Sequence, residues 1–303
     1  MPPEPSQRLL LTGETATAVL LDGRHPSRVA GLHPLRRGVY VTEAQWRDAT
    51  RRERYELLVR GTLPKLKRPA PLAHESAAVL LGIPLIGTWP RRVHLLEETA
   101  NGGRNSALVV RHGTRHMPAI EVVDDIAVTS AARTAVDLAR TRTFASGLAA
   151  ADHVLASGLA TLEELHSELE KTRHSSGQGR ARLVVAHADG RAESVGESLS
   201  RARMIELGVA LPQLQQPFYD SDGLIGRSDF WWPRLKLIGE FDGRVKFGRQ
   251  VAADDDAARE ALWQEKRRED RLRRLGNGVA RWTWDEALRP EVFARLLAAA
   301  GVR

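Results

Sequence analysis

The stretch IGRSDFWWPRLKLIGEFDGRVKFG, residues 225–248, constrains the fold more than any other part of the chain. Its aromatic and β-branched residues predict two strands, 225–232 and 235–242, joined as a hairpin. Yet these strands carry Asp229, Glu240 and Asp242. A buried carboxylate without a partner is costly, and most strands avoid one. Residues two apart share a face of a strand, so Glu240 and Asp242 point one way and Phe241 the other. In a hairpin, Asp229 can lie across from Glu240. Carboxylates brought so close repel each other, and hard oxygens of this kind are what magnesium prefers. The acids therefore predict a divalent-metal site built from Asp229, Glu240 and Asp242. Each also has a plainer use: Asp242-Gly243 as a turn, Asp229 as a backbone cap, and Glu240 as a partner of Arg227 or Arg281.

The neighbouring sequence predicts the order α-β-β-β-α-β. ESVGESLSRARMIELGV reads as a helix that carries Glu197, with Leu199, Ala202, Ile205 and Leu207 toward a core. LPQLQQPFYDSDGLIGRSDFWWP reads as strand, turn and strand. AREALWQEKRREDRLRRLG is a long helix with Leu262, Leu272 and Leu275 inward and Gly276 as its stop. GVARWTWDEAL closes with a strand and the start of a last helix. This pattern, over about residues 193–290, resembles the very-short-patch-repair-endonuclease-like domain of the PD-(D/E)xK nuclease superfamily. The matching residues are Glu197, Asp229, the GEFDG segment and the QEKRREDRLRRLGNGVARWTW ending. The resemblance implies a restriction-endonuclease-like fold in which Asp229 and Glu240 bind Mg²⁺ (or Mn²⁺) and Glu197 completes the shell or orients a water. The family's Glu-x-Lys is Glu240-Phe241-Asp242 here, so the water-polarising lysine has to come from elsewhere. Lys266 on the long helix is the first choice, because a helix holds it more rigidly than a turn; Lys246 is the second.

The first 60 residues are the basic part of the chain. Residues 1–70 hold 13 Lys/Arg against 7 Asp/Glu, whereas residues 71–190 hold 12 against 13. Such a local excess suits nucleic-acid contact, and arginine-rich composition alone also produces it. GLHPLRRGVYVT predicts a turn, a basic pair and a short strand, and EAQWRDATRRERYELLVRGTLPKL a helical stretch. This layout resembles the winged-helix N-terminal domain of AbiEi-type antitoxins, in which LRRGVY forms the wing. AARTAVDLAR is similar to the central part of the same proteins. Phosphate contacts are expected from Arg36 and Arg37, and from Arg267 and Arg271 beside the acids.

The middle of the chain predicts a mixed α/β unit: a helix stopping near Gly82, strands in RVHLLE, SALVVRHG and IEVVDDIAVT, then helices from Ser130 onward. NGGRN reads as a hairpin-type turn. His112 and His116 have the i, i+4 spacing of helical metal ligands, but Gly113, Thr114 and Pro118 predict a loop with surface histidines. The division expected is 1–62, a winged-helix-like DNA-binding unit; 63–190, the α/β middle; and 191–303, the nuclease-like unit. The absence of cysteine excludes disulfides, thiolate zinc sites and cysteine nucleophiles. MPPEPSQR lacks the order of a signal peptide, and SAAVLLGIPLIGTWP is too short to span a bilayer. The expectation is a cytoplasmic, membrane-free hydrolase cutting DNA phosphodiesters. The alternative is an antitoxin-type transcriptional regulator with a non-catalytic nuclease-like domain and a cognate toxin as partner.

Overall fold

A computed structural model describes residues 9–11, 29–99, 103, 105–243 and 255–303. The chain is mixed α/β and divides into two compact units: residues 1–141 with 163–181, and residues 142–162 with 182–303. The expected division was threefold. Residues 1–62 do not stand apart because Tyr55 and Val59 share one core with Leu72, Val79, Val93, Leu95 and Val128. The RLLLTGETATAVLLDG segment lies largely outside the described residues.

In the first unit, β1 (Leu10–Leu11), β3 (Val39–Thr42) and β2 (Leu32–Arg36) form an antiparallel sheet in that order. The tight β2–β3 turn uses Gly38 at φ 76°, where a side chain would be strained. Helices α1 (Glu43–Asp48) and α2 (Arg51–Thr62) follow. What reads as one helical stretch is two, since Thr42 with Gln45 and Thr50 with Glu53 each close a capping box. Next come α3 (His74–Leu80), β4 (Val93–Glu98), β5 (Val109–Thr114), β6 (Ile120–Val123), β7 (Ile126–Thr129) and α4 (Ala131–Thr141). β4 and β5 pair in parallel, and most of the NGGRN segment between them lies outside the described residues. β6 and β7 are a true hairpin, turned by Asp124 and Asp125 at φ 47° and 62°. Two positive φ values match the twist of the flanking strands. Leu72 bridges to both Leu95 and Val128 and so joins the two strand pairs. α6 (Leu162–Lys171) contributes to the same unit from Glu163, and α7 (Gln178–His187) as far as Ala181.

The second unit contains α5 (Phe144–Ala156), the rest of α7, α8 (Val195–Leu207), β8 (Gln213–Asp220), β9 (Gly223–Trp232), β10 (Leu237–Asp242), α9 (Asp255–Arg274), β11 (Gly278–Thr283), α10 (Trp284–Ala287) and α11 (Pro290–Ala299). The expected α-β-β-β-α-β order is present. The strands form one sheet, β11-β10-β9-β8, antiparallel except for the parallel β10–β11 pair. One face packs on α8. There Gly239 gives room to Trp232 and Trp282, and a Cβ at Gly239 would lie 2.6 Å from the Trp282 ring. Trp282 Nε1 donates to Ser200 Oγ at 2.7 Å, which ties β11 to α8. The other face packs Ile225 and Ile238 on Leu272 of α9. Leu272 is buried as expected, whereas Leu275 is 41% exposed because α9 has ended by then. Fully buried Asp152 joins α5 to α8, accepting from Ser198 and Arg201.

Candidate functional site

The acids of the second unit separate into two groups. Asp229 lies where β9 and β10 part: their ladder ends at the pair Phe230–Gly239, and the Asp229 carboxylate accepts the Phe241 N–H at 2.8 Å. Glu197, in the first turn of α8, is buried and accepts from Glu193 N and from Gln215 Nε2, each at 3.0 Å. Gln215 occupies the β8 position between Leu214 and Gln216, whose partners are Phe230 and Ser228, so it faces Asp229. Its φ of 53° marks local strain. Burial, with Glu197 nearby, pushes the Asp229 carboxyl up to about 6, although the Phe241 hydrogen bond opposes the shift. Gln215 is a member of this group that sequence reasoning missed; only the β8–β9 register identifies it.

Glu240 belongs to the second group. It is buried on the α9 side of the sheet, 2.5 Å from Arg268 Nη2 and 2.9 Å from Arg281 Nη2. Arg281 is its register partner on β11. Glu265 of α9 bonds the same two arginines. Burial alone would raise the Glu265 carboxyl, but hydrogen bonds from Arg268 and Arg281 bring it down to about 2. Burial pushes Glu240 above its ordinary range, with the two arginines working against the shift. The plainer sequence reading, Glu240 with Arg281, is therefore present. Asp242 ends β10, half-buried, two residues from Glu240. Among the described residues, no three of these acids bring their oxygens within 4.8 Å of one another.

The long helix turns Arg268, not Lys266, toward the acids. Lys266 is exposed. Positions 265, 268 and 272 share one face of a 3.6-residue helix, and buried Leu272 fixes that face against the sheet. Lys246 lies outside the described residues. The expected phosphate contacts also divide. Arg36 is used internally, donating to Thr62 Oγ1 at 3.0 Å and to the Arg91 carbonyl at 3.1 Å. Arg37 is exposed at the β2–β3 turn. Arg271 holds Asp220 through two bonds of 2.7 and 2.5 Å. Arg267 is exposed and lies 4.7 Å over the half-exposed Trp263 ring. Arg267, Arg268 and Arg271 line a shallow groove of about 370 Å³ with Gln264, Glu265 and Ile225.

The first unit holds a cluster that the sequence reading placed elsewhere. His112 is on β5, not in a surface loop, and its partners are His74 and His94 rather than His116. His112 Nε2 is 3.1 Å from His94 Nδ1, and the His74 and His112 rings stack at 3.8 Å. Burial pushes His74 down to about 4; burial and the neighbouring His94 do the same to His112. Both imidazoles are therefore neutral at pH 7. No spacing motif links residues 74, 94 and 112; only the β4–β5 pairing does.

Comparison with known proteins adds little. The chain is 33% identical over 169 residues to the uncharacterized proteins Rv2248 and MT2308 of Mycobacterium tuberculosis, strains H37Rv and CDC 1551. That match covers 55% of this chain and 60% of either relative's length. No family model and no solved structure matches. Among the described residues, no helix is long and apolar enough to cross a membrane.

Proposed function

We propose that residues 191–303 form a nuclease-type domain acting on DNA phosphodiesters with Mg²⁺ or Mn²⁺. The observation that carries the reading is Asp229 and Glu197 together at the point where the sheet opens, within an α-β-β-β-α-β order whose last strand pairs in parallel. The donor set fits a hard cation, since two carboxylates and the Gln215 amide offer only oxygen donors to an ion. A divalent ion there would supply phosphate polarisation and a more acidic water. The chain's own residues supply the rest. Phe241 N–H holds the Asp229 carboxylate in place, and Gln215 orients Glu197. Glu240 acts by holding Arg268 and Arg281 rather than as a ligand, and Arg267 offers an exposed cation for the phosphate backbone. On this reading the basic N-terminal residues, with Arg37 exposed on the β2–β3 hairpin, are a second DNA contact.

A second reading, a regulator of the antitoxin type that binds DNA without cutting it, is favoured by one observation. Glu240, the acid expected as a ligand, is already neutralised by two arginines. Nicking of supercoiled plasmid by the full chain separates the two. Cleavage that requires Mg²⁺ or Mn²⁺ and is lost in Asp229→Ala supports the nuclease. If calorimetry finds no binding of Mg²⁺ at millimolar concentration and no plasmid is nicked, the regulator reading takes its place.

A further inference from the structure

We propose that His74, His94 and His112 bind one divalent transition-metal ion of the zinc class. The three come from different elements: the first residue of α3, the second of β4 and the fourth of β5. In the parallel register His94 faces Val110 and Leu96 faces His112, so both histidines lie on one face of the strand pair. Their donor atoms, with one from His74, all lie within 4.8 Å of one another. The 3.1 Å between His94 Nδ1 and His112 Nε2 is close to the ~3.3 Å edge of a tetrahedron with metal–nitrogen bonds of about 2.0–2.1 Å.

Two further observations point to a ligand. First, His74 is 4% exposed yet adopts φ 51°, in the left-handed region. A non-glycine residue held there is strained, and such strain clusters at binding sites. Second, carboxylates flank the rings. Glu75 Oε2 is 3.1 Å from His94 Nδ1, and Asp137 Oδ2 is 3.9 Å from His74 Nε2. At His94 the carboxylate adjoins the same Nδ1 that faces His112, so Glu75 places negative charge beside the ion rather than holding the far ring nitrogen. Asp137 is itself clamped by Arg133 and Arg140, at 2.9 and 2.8 Å. It is thus committed to a supporting role and leaves the imidazoles as donors. An ion here would pin the start of α3 to β4 and β5.

Nitrogen donors select zinc, cobalt, nickel or copper over magnesium. The site is therefore distinct in chemistry from the one proposed at Asp229. The test is titration of the tag-free full chain with Co²⁺, followed by visible absorption and by counting retained ions after dialysis. The expected result is one Co²⁺ per chain with a visible band, displaced by Zn²⁺ and not by millimolar Mg²⁺. His112→Gln should weaken binding at least ~100-fold, and Glu75→Gln about 10-fold. Asp229→Ala should leave it unchanged, so the fate of the nuclease reading does not decide this one. Should His112→Gln fail to fold, His94→Asn provides the same comparison, and the wild-type titration stands regardless. No band and no retained ion at one equivalent would overturn the proposal. So would uptake that survives both histidine substitutions.

Discussion

Each unit buries a carboxylate between two arginines, and the two sites behave differently. Asp137 in the first is fully buried between Arg133 and Arg140; Glu240 in the second is buried between Arg268 and Arg281, which stay partly exposed. Burial alone would raise the Asp137 carboxyl, but His74, Arg133 and Arg140 outweigh it and hold it below the ordinary range. At Glu240 burial wins. The difference lies in what else is near. Asp137 adjoins a neutral histidine and shares one of its arginines, Arg133, with Glu168 at 3.8 Å, whereas Glu240 shares both of its arginines with Glu265. An arginine pair divided among acids compensates each of them less.

The comparison is broken most sharply by removing each carboxylate. In the metal-free protein, Asp137→Ala leaves two guanidinium groups without their common partner in a closed core and should cost about 3–4 kcal/mol in urea denaturation. Glu240→Ala should cost less, about 2 kcal/mol, because Glu265 stays with the same arginines and water reaches them. Equal costs would mean that sharing the arginines has no energetic consequence.

Asp229 sharpens the contrast with opposite sign, since burial outweighs the Phe241 hydrogen bond and the charge of Arg268 and pushes its carboxyl from 3.8 up to about 6. Between those values the folded chain keeps a proton that the unfolded chain has lost. Stability attributable to this group therefore falls as pH rises through about 4 to 6. Asp229→Asn cannot ionise, and its Oδ1 can still accept from Phe241 N. It should be about 1 kcal/mol more stable than wild type at pH 7, with the gain gone near pH 4. An unchanged difference across that range would show that Asp229 titrates normally.

What the sequence disclosed follows from how local each feature is. The strands and helices around Asp229 were legible because alternation and helical period are written in contiguous residues. The capping residues Thr42 and Thr50, by contrast, split a stretch whose apolar spacing read as continuous. The histidine cluster was not legible, because residues 74, 94 and 112 meet only through a parallel pairing that no turn residue announces. Gly113 and Pro118 argued for a loop, yet β5 continues through Gly113 to Thr114. At the acid site, Glu240 does pair with Arg281, one of the two arginines that the plainer sequence reading offered it. Same-face alternation did not foresee that Asp229 would cap the Phe241 N–H as the ladder ended, and so join Glu197 and Gln215 instead.

The smallest expected effect concerns the long helix. Lys266 is exposed, two residues from Arg268 and so about 200° around α9 from it. It cannot share the face that Arg268 and Leu272 turn to the sheet. Lys266→Ala should change stability by less than about 0.5 kcal/mol and leave any plasmid nicking at the wild-type rate. Arg268→Ala should loosen Glu240 and slow nicking, because Arg281 alone must then hold the carboxylate. Paired nicking assays of the two variants at one Mn²⁺ concentration make the comparison. A loss in Lys266→Ala equal to that in Arg268→Ala would restore the lysine to the site and require α9 to rotate when DNA binds.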